Sequence, residues 1–292
     1  IAKKYKTPIY CYFSKKIENN IKNFKKHFKR INPLICFAVK ANSNLNILKE
    51  IKENNLGADV VSGGELMKAL KAGIQPNKIV FSGVGKVTEE IEYAINKNIL
   101  LINAESQSEI LEIEKIAKKK NKIVNIGIRL NPNTDAKTLS QISTGKKENK
   151  FGVDQKMFLK LVNLVKKSKS LNLKCLSVHI GSQILSHKPY KNMLKVVNKI
   201  IKLSNHNFEY IDLGGGMGID YDHNNSNLDF RKYSLDIEKF LKNKNCKIIF
   251  EPGRSIMGNS AILITKIIYI KEGSKKNFII LDAAMNDFMR PA

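Results

Sequence analysis

LICFAVKANSNLNILKEIKENNLGADVVSGGELMKALKAG, residues 34–73, is the stretch on which the fold turns. An apolar run from Leu34 to Val39 gives way to a polar loop, and an amphipathic stretch follows from Asn44 to Asn54. A second apolar run, Gly57 to Val61, leads through Ser62-Gly63-Gly64-Glu65 into a second amphipathic stretch, Gly64 to Ala72. Short fully apolar runs alternating with helical periodicity are the pattern of a parallel sheet built from strand–helix units, because helices on one face and core on the other bury both sides of each strand.

The pattern repeats outward from this point. Further apolar runs lie at Lys78–Ser82, Leu100–Asn103, Ile123–Leu130, Lys174–Ile180, Tyr210–Leu213 and Lys247–Phe250. Helical stretches separate many of them, at Thr88–Lys97, Ser106–Lys120, Gln155–Ser168 and Tyr190–Leu203. Counting from Leu34, that makes eight strands, which predicts a closed (β/α)8 TIM barrel; a doubly wound sheet would use fewer strands and a glycine-rich turn after the first. A barrel needs about 250 residues, and the chain has 292. The surplus lies at the ends. Pro8–Phe13 reads as a strand before the helix of Ser14–Arg30, whose Ile17, Ile21, Phe24, Phe28 and Ile31 form one apolar stripe. After the eighth strand, Ala261–Ile270 and Asn277–Leu281 read as two more strands without a helix between them. The expected organisation is therefore residues 1–13 as a strand of a β domain, 14–258 as the barrel, and 259–292 as the start of a C-terminal all-β domain.

Composition narrows the function classes. The formal charge of +25 invites a polyanion-binding reading, but the basic residues are 46 Lys against 5 Arg, spread along nearly every helix and often beside one of 32 Asn. No basic, aromatic-interleaved face emerges, so nucleic acid is not the expected partner. No apolar run approaches the roughly 20 residues of a membrane span. Cys11, Cys36, Cys175 and Cys246 fall in or beside apolar runs without C-x-x-C or zinc-ligand spacing, so they read as small buried hydrophobes of a reducing cytoplasm, and no metal is expected.

In a barrel of this kind the active site lies at the C-terminal ends of the strands, and the unusual residues collect there. The first strand closes on Lys40-Ala41-Asn42, the fifth on Arg129-Leu130-Asn131 and the sixth on His179-Ile180-Gly181-Ser182-Gln183. The seventh closes on Gly214-Gly215-Gly216-Met217-Gly218 and the eighth on Glu251-Pro252-Gly253-Arg254. The glycines are not a dinucleotide fingerprint, since the last position of G-x-G-x-x-G counted from Gly214 is Ile219. They are either a tight turn or, with Gly253 and Arg254, a cradle of backbone N–H groups for a phosphate. Lysine amine, phosphate cradle and carboxylate together suit pyridoxal 5′-phosphate: Lys40 for a Schiff base, Glu251 for the pyridine nitrogen, His179 to stack on the ring and Ser182 to reach the phosphate. A lone histidine is more often structural; Ser182, three residues on, is what favours the ligand role.

AVKAN (38–42), DVVSGGEL (59–66), KFGV (150–153), HIGSQ (179–183), LGGGMG (213–218), EPGR (251–254) and DAAMNDFMRPA (282–292), in that order, resemble the motifs of the diaminopimelate decarboxylases, a fold-type III, alanine racemase-like family dependent on pyridoxal phosphate. The resemblance implies decarboxylation of meso-diaminopimelate to L-lysine in the cytoplasm. It implies Lys40, His179 and Glu251 as catalytic residues, with Ser182, Gly214, Gly215, Gly216, Pro252, Gly253 and Arg254 around the cofactor. Arg254 and Arg290 resemble the family's contacts to substrate carboxylates, and a chain so sparing of arginine has reason to keep bidentate donors there. Arg129 falls near the cofactor without a firm role, and Asp59 either orients Lys40 or is structural. The resemblance further implies a homodimer with shared active sites, and a C-terminal Cys-Glu-Ser motif and tyrosine that do not occur in residues 1–292. With Ile1 first and Arg290-Pro291-Ala292 last, the sequence reads as truncated at both ends, and weak turnover is expected of it. The alternatives are an ornithine, arginine or carboxynorspermidine decarboxylase of the same fold and a non-catalytic pyridoxal-phosphate-binding barrel; an alanine racemase would face the pyridine nitrogen with arginine instead of Glu251.

Overall fold

In a computed structural model describing residues 1–136, 144–145, 149–222 and 228–289, a short helix α1 (Ala2–Tyr5) and strand β1 (Ile9–Tyr12) precede helix α2 (Ser14–His27). Eight parallel strands then close a barrel: β2 (Leu34–Ala38), β3 (Gly57–Val60), β4 (Ile79–Phe81), β5 (Leu101–Ala104), β6 (Val124–Leu130), β7 (Leu171–Val178), β8 (Tyr210–Asp212) and β9 (Lys247–Phe250). Consecutive strands are neighbours throughout, and β2 meets β9 in the register Leu34↔Ile249 and Ile35↔Phe250. Pro252 helps to lock this seam, since its carbonyl accepts from Ala38 N at 3.1 Å.

The helices on the outside are α3 (Leu45–Glu53), α4 (Gly63–Lys71), α5 (Thr88–Asn96), α6 (Gln107–Lys119), α7 (Gln155–Lys166), α8 (His187–Ser204) and α9 (Phe230–Leu241). Except for α5, which follows Val87, their starts are fixed by side-chain caps: Asn44, Ser62, Ser106, Asp154, Ser186 and Asp229 each accept from a backbone N–H two or three residues on. Their ends explain much of the asparagine. Asn32, Asn55, Asn98, Asn121, Asn205 and Asn243 all adopt positive φ just past a helix, where the chain reverses toward the next strand. Asparagine tolerates that left-handed conformation better than other non-glycine residues.

Several boundaries differ from the sequence expectation. Helix α2 stops at His27 rather than Arg30, and α8 begins at His187 rather than Tyr190 because Ser186 caps it and Pro189 is accommodated in the first turn. Strand β7 begins at Leu171, three residues before the expected Lys174, its alternating Leu171 and Leu173 pairing with Val124 and Ile126. Lys40 does not end a strand. It sits in a 3-10 turn, Val39–Ala41, which lifts it off β2 onto the barrel rim. The expected strand Ala261–Ile270 is two strands, β10 (Ala261–Ile264) and β11 (Ile267–Lys271). The chain changes partner between them, because Asp282 accepts from Thr265 Oγ1 and Lys266 N and pins the junction. β10 pairs antiparallel with β1, and β11 pairs with β12 (Phe278–Leu281). A last short helix, α10 (Arg254–Met257), leads from the barrel into β10.

The core falls into two clusters: a large one that joins the strands to the helix faces, and a small one of Cys36, Val80, Leu101, Cys175 and Ile249 on the barrel strands. Phe28, wholly buried, seats α2 against the barrel: its ring lies 4.6 Å from Phe250 of β9 and 5.9 Å from Tyr233 of α9. None of the described helices is long and apolar enough to cross a membrane.

Candidate active site

The C-terminal ends of β2, β7, β8 and β9 surround a cavity of about 400 Å³, near the lower end of the range for small-molecule sites. Lys40, His179, Ser182, Gly216, Glu251, Gly253 and Arg254 all line it, together with Tyr221. A larger cavity, about 690 Å³, opens at the other end of the barrel among His206, Lys242, Lys244 and Cys246. It gathers none of the paired groups described below, so volume alone would select the wrong end.

Lys40 Nζ donates to Asp59 Oδ2 at 3.0 Å; Asp59 is fully buried, while half of the Lys40 side chain opens onto the cavity. Burial opposes charge on Lys40, but the carboxylates of Asp59 and Glu251 outweigh it and hold the amine above its ordinary value. Asp59 Oδ1 has no hydrogen-bond partner among the described residues. On the other side of the cavity, His179 Nδ1 accepts from Gly215 N at 3.1 Å, which assigns the proton to Nε2. Burial, with Arg129 and Lys40 nearby, pushes this imidazole well below its ordinary value, so the ring is neutral.

Glu251 is buried at the end of β9 and accepts from Ser82 Oγ at 3.3 Å. Burial, then the neighbouring Asp212 and Asp59, push it well above the usual carboxylate range. Asp212, equally buried, accepts from Asn103 Nδ2 at 3.0 Å, Ser177 Oγ at 3.2 Å and Gly214 N at 2.9 Å. Burial still lifts it to about 6 against those hydrogen bonds.

The three glycines do different things. Gly214 N and Gly215 N donate to Asp212 and His179, so these two N–H groups are already used within the protein. Only Gly216 of the three lines the cavity, and its N–H has no partner among the described residues. Gly215 is required by packing, since a Cβ there would lie 2.1 Å from the Glu251 carbonyl oxygen. Beside Gly216, Arg254 donates from Nε to Ser182 Oγ at 3.3 Å and from Nη1 to Tyr221 Oη at 2.8 Å. Its guanidinium thus has two neutral partners and no carboxylate partner among the described residues, a state suited to receiving an anion.

Arg129 stands slightly apart. It donates to Glu105 at 2.9 Å and lies 4.9 Å over the Phe151 ring, while Glu105 also accepts from Gly83 N and Gly152 N. This cluster ties together the loops after β4, β5 and β6. Gly214, Gly215 and Pro252 sit behind the cavity wall, and Arg290 lies outside the described residues. Sequence reasoning missed Tyr221, Asp212, Asn103, Ser82 and Ser177. Asp212 directly precedes Leu213 and the glycines, and a buried carboxylate at the end of an apolar strand was the available signal.

These residues fit pyridoxal phosphate: an amine and a carboxyl on one cavity, a flat neutral imidazole, and an arginine, a hydroxyl and a free N–H for an anion. Comparisons with known proteins agree. A family model described as the pyridoxal-binding domain of pyridoxal-dependent decarboxylases matches residues 14–258. Diaminopimelate decarboxylase of Helicobacter pylori is 46% identical over 291 residues, covering 99% of this chain and 72% of that protein. The Aquifex aeolicus enzyme of that name is 42% identical over 295 residues, 100% of this chain and 70% of the relative. The crystal structure of the H. pylori enzyme complexed with L-lysine superposes with a TM-score of 0.95 at 45% identity, covering 99% of this chain and 73% of that one. That of the M. jannaschii enzyme, also with L-lysine, gives 0.91 at 33%, covering 99% and 70%.

Proposed function

The chain belongs to the diaminopimelate decarboxylases, within the pyridoxal-dependent decarboxylases, and from that premise we propose that its cavity carries out the decarboxylation of meso-diaminopimelate to L-lysine and carbon dioxide with pyridoxal 5′-phosphate. The observation that carries this reading is the convergence of Lys40, His179, Glu251 and Arg254 on one cavity from three separate strand ends, those of β2, β7 and β9. An arginine decarboxylase at 21% identity shares only the fold.

Bound cofactor supplies an electron sink for the pair of electrons left on the α-carbon when carbon dioxide departs. Lys40 provides the amine for covalent attachment. Asp59 Oδ2, at 3.0 Å, is placed to take the proton that Nζ must shed before it can act as a nucleophile. His179 offers a neutral ring face and, fixed by Gly215 N, keeps its Nε2–H turned away from that contact. Glu251, which lines the same cavity, would pair with the pyridine nitrogen and hold a proton there. Arg254, Ser182 and the Gly216 N–H take the phosphate, with Gly253 leaving room for it: a Cβ at 253 would crowd Ala41 and Ala38 at 3.1 and 3.2 Å. Arg254 and Arg290 serve the substrate carboxylates.

Residues 1–13 and 259–292 belong to a second, all-β domain, as the pairing of β1 with β10 supports, and 14–258 form the catalytic barrel. The protein works in the cytoplasm as a homodimer with shared active sites; the exposed apolar side chains of β11 and β12, such as Ile270 and Ile279, suit further association. The test is covalent trapping. Borohydride reduction with pyridoxal phosphate should mark Lys40 in the peptide map, and Lys40→Ala should lose both the mark and the absorbance band of the bound cofactor. A band that survives in Lys40→Ala, or a mark on another lysine, refutes the assignment.

A further inference from the structure

Behind Glu251 lies a buried polar chain that the reaction described above does not use. Glu251 accepts from Ser82 Oγ at 3.3 Å, Ser82 Oγ accepts from Asn103 Nδ2 at 3.3 Å, and the same Nδ2 donates to Asp212 Oδ2 at 3.0 Å. The two carboxyls stand on neighbouring strand ends, where Glu251 N donates to Gly214 O at 2.8 Å, and each perturbs the other. Room for Asn103 exists because residue 127 is glycine, where a Cβ would lie 2.0 Å from Asn103 Oδ1.

A charge inventory decides the state of the pair. Arg129 is committed to Glu105, and Lys40 is paired with Asp59. Asp212 and Glu251 are left as two adjacent carboxyls with no cation of their own among the described residues, and such a pair in a dry site retains one proton. Three donors converge on Asp212, from Asn103, Ser177 and Gly214, and they favour its ionised form. Glu251 has a single hydroxyl, from Ser82, which can turn to donate or accept. The shared proton therefore belongs on Glu251. Other titratable groups facing the pair are Lys40 and Cys36 on and after β2, Asp59 on β3, Cys175 on β7 and Tyr233 on α9.

We propose that Asp212 is a positioning residue for Glu251: as the ionised partner it keeps one proton on the Glu251 carboxyl, and through Asn103 and Ser82 it aims that carboxyl at the cofactor's ring nitrogen. The proposal rests on the functional reading above. On cofactor entry the Glu251 O–H bond breaks and an N–H bond forms at the ring nitrogen; the carboxyl pair gains one negative charge as the nitrogen gains one positive. Glu251 would then be ionised in front of ionised Asp212, and the second negative charge behind it raises the proton affinity of that N–H beyond what Glu251 alone supplies.

The test is side-chain carboxyl NMR of the full chain, ¹³C-labelled at Asp and Glu, first without cofactor and then with ¹⁵N-labelled pyridoxal phosphate. Without cofactor, Glu251 should titrate above the usual carboxylate range, and Asp212→Asn should lower that titration by about one pH unit or more, a tenfold change in proton affinity. With cofactor, the ring nitrogen should give up its proton at lower pH in Asp212→Asn than in wild type. A Glu251 titration identical in the two proteins overturns the proposal. Should Asp212→Asn fail to fold, Asn103→Ala removes one of the three donors on Asp212 and leaves both carboxyls; the titration of Asp212 should then rise, and an Asp212 titration identical to wild type overturns the proposal. Failure of wild type to bind pyridoxal phosphate at all overturns the functional reading as well, whereas binding without any Asp212 dependence overturns this proposal alone.

Discussion

Gly215→Ala puts one methyl group where the barrel has no space for it. The new Cβ would lie 2.1 Å from the Glu251 carbonyl oxygen and 2.9 Å from its carbonyl carbon, both backbone atoms that cannot rotate away. Reaching even a 3 Å separation requires the ends of β8 and β9 to part by roughly an ångström. Overpacking of this kind costs about 1–3 kcal/mol, and the Gly215 N to His179 bond, worth about 1 kcal/mol, is strained with it. The expected loss of stability is therefore about 2–4 kcal/mol, read as a lower urea midpoint by circular dichroism at unchanged slope. The displaced backbone carries Glu251 on one side and His179 on the other, and a misplacement of about 1 Å costs about 10²-fold in rate. Decarboxylation by whatever protein remains folded should fall by that factor. Gly64→Ala is the control: it lies in α4, its Cβ would meet only Ser62 Oγ at 3.9 Å, and stability should not fall. If Gly215→Ala stays within about 0.5 kcal/mol of wild type with its rate intact, the close approach of the two strand ends is wrong.

Ser182→Ala removes a neutral acceptor of Arg254, so pyridoxal phosphate should bind about 5-fold to 10-fold more weakly, near 1 kcal/mol, by fluorescence titration; unchanged affinity would remove Ser182 from the phosphate site. His179 should show no imidazole titration by NMR around the ordinary 6.5. Its folded value is depressed, so the stability it contributes is present above the ordinary 6.5 and is lost as pH falls toward the lowered value; a midpoint near 6.5 would contradict its burial. Asp282, held down to about 2 by Lys266 N, Thr265 and Thr7, stabilises the β10–β11 junction above its ordinary 3.8, and that contribution disappears as pH falls toward 2. Asp282→Asn should accordingly flatten the acid limb of unfolding between those values, and an unchanged limb would exclude this carboxylate. Phe28→Ala should cost about 3–5 kcal/mol, since the ring is fully buried against Phe250 and Tyr233.

Much of this is legible in the sequence. Strand and helix periodicities fixed the number of βα units, because each strand is apolar on both faces and each helix on one, and polar side chains at strand ends marked the rim. The less legible features depend on partners distant in the chain. Nothing local separates Ala261–Ile264 from Ile267–Lys271 until Asp282 pins Thr265 and Lys266 between two different sheets. A run of three glycines reads as a phosphate cradle, yet the N–H groups of Gly214 and Gly215 are taken by Asp212 and His179. Tyr221 stands in a polar segment with no periodicity, and only Arg254, 33 residues later, gives it a role.

By itself the sequence determined the barrel, the rim and the identities of the amine, imidazole and carboxyl that meet there, since those follow from patterning and from which side chains can do the chemistry. Tertiary structure alone decided their states. Lys40 stays charged because Asp59, 19 residues away, is buried within 3.0 Å of it. Glu251 keeps a proton because β8 brings Asp212 beside it. Charge in a low-dielectric site depends on distances between side chains, and closing the barrel is what sets those distances.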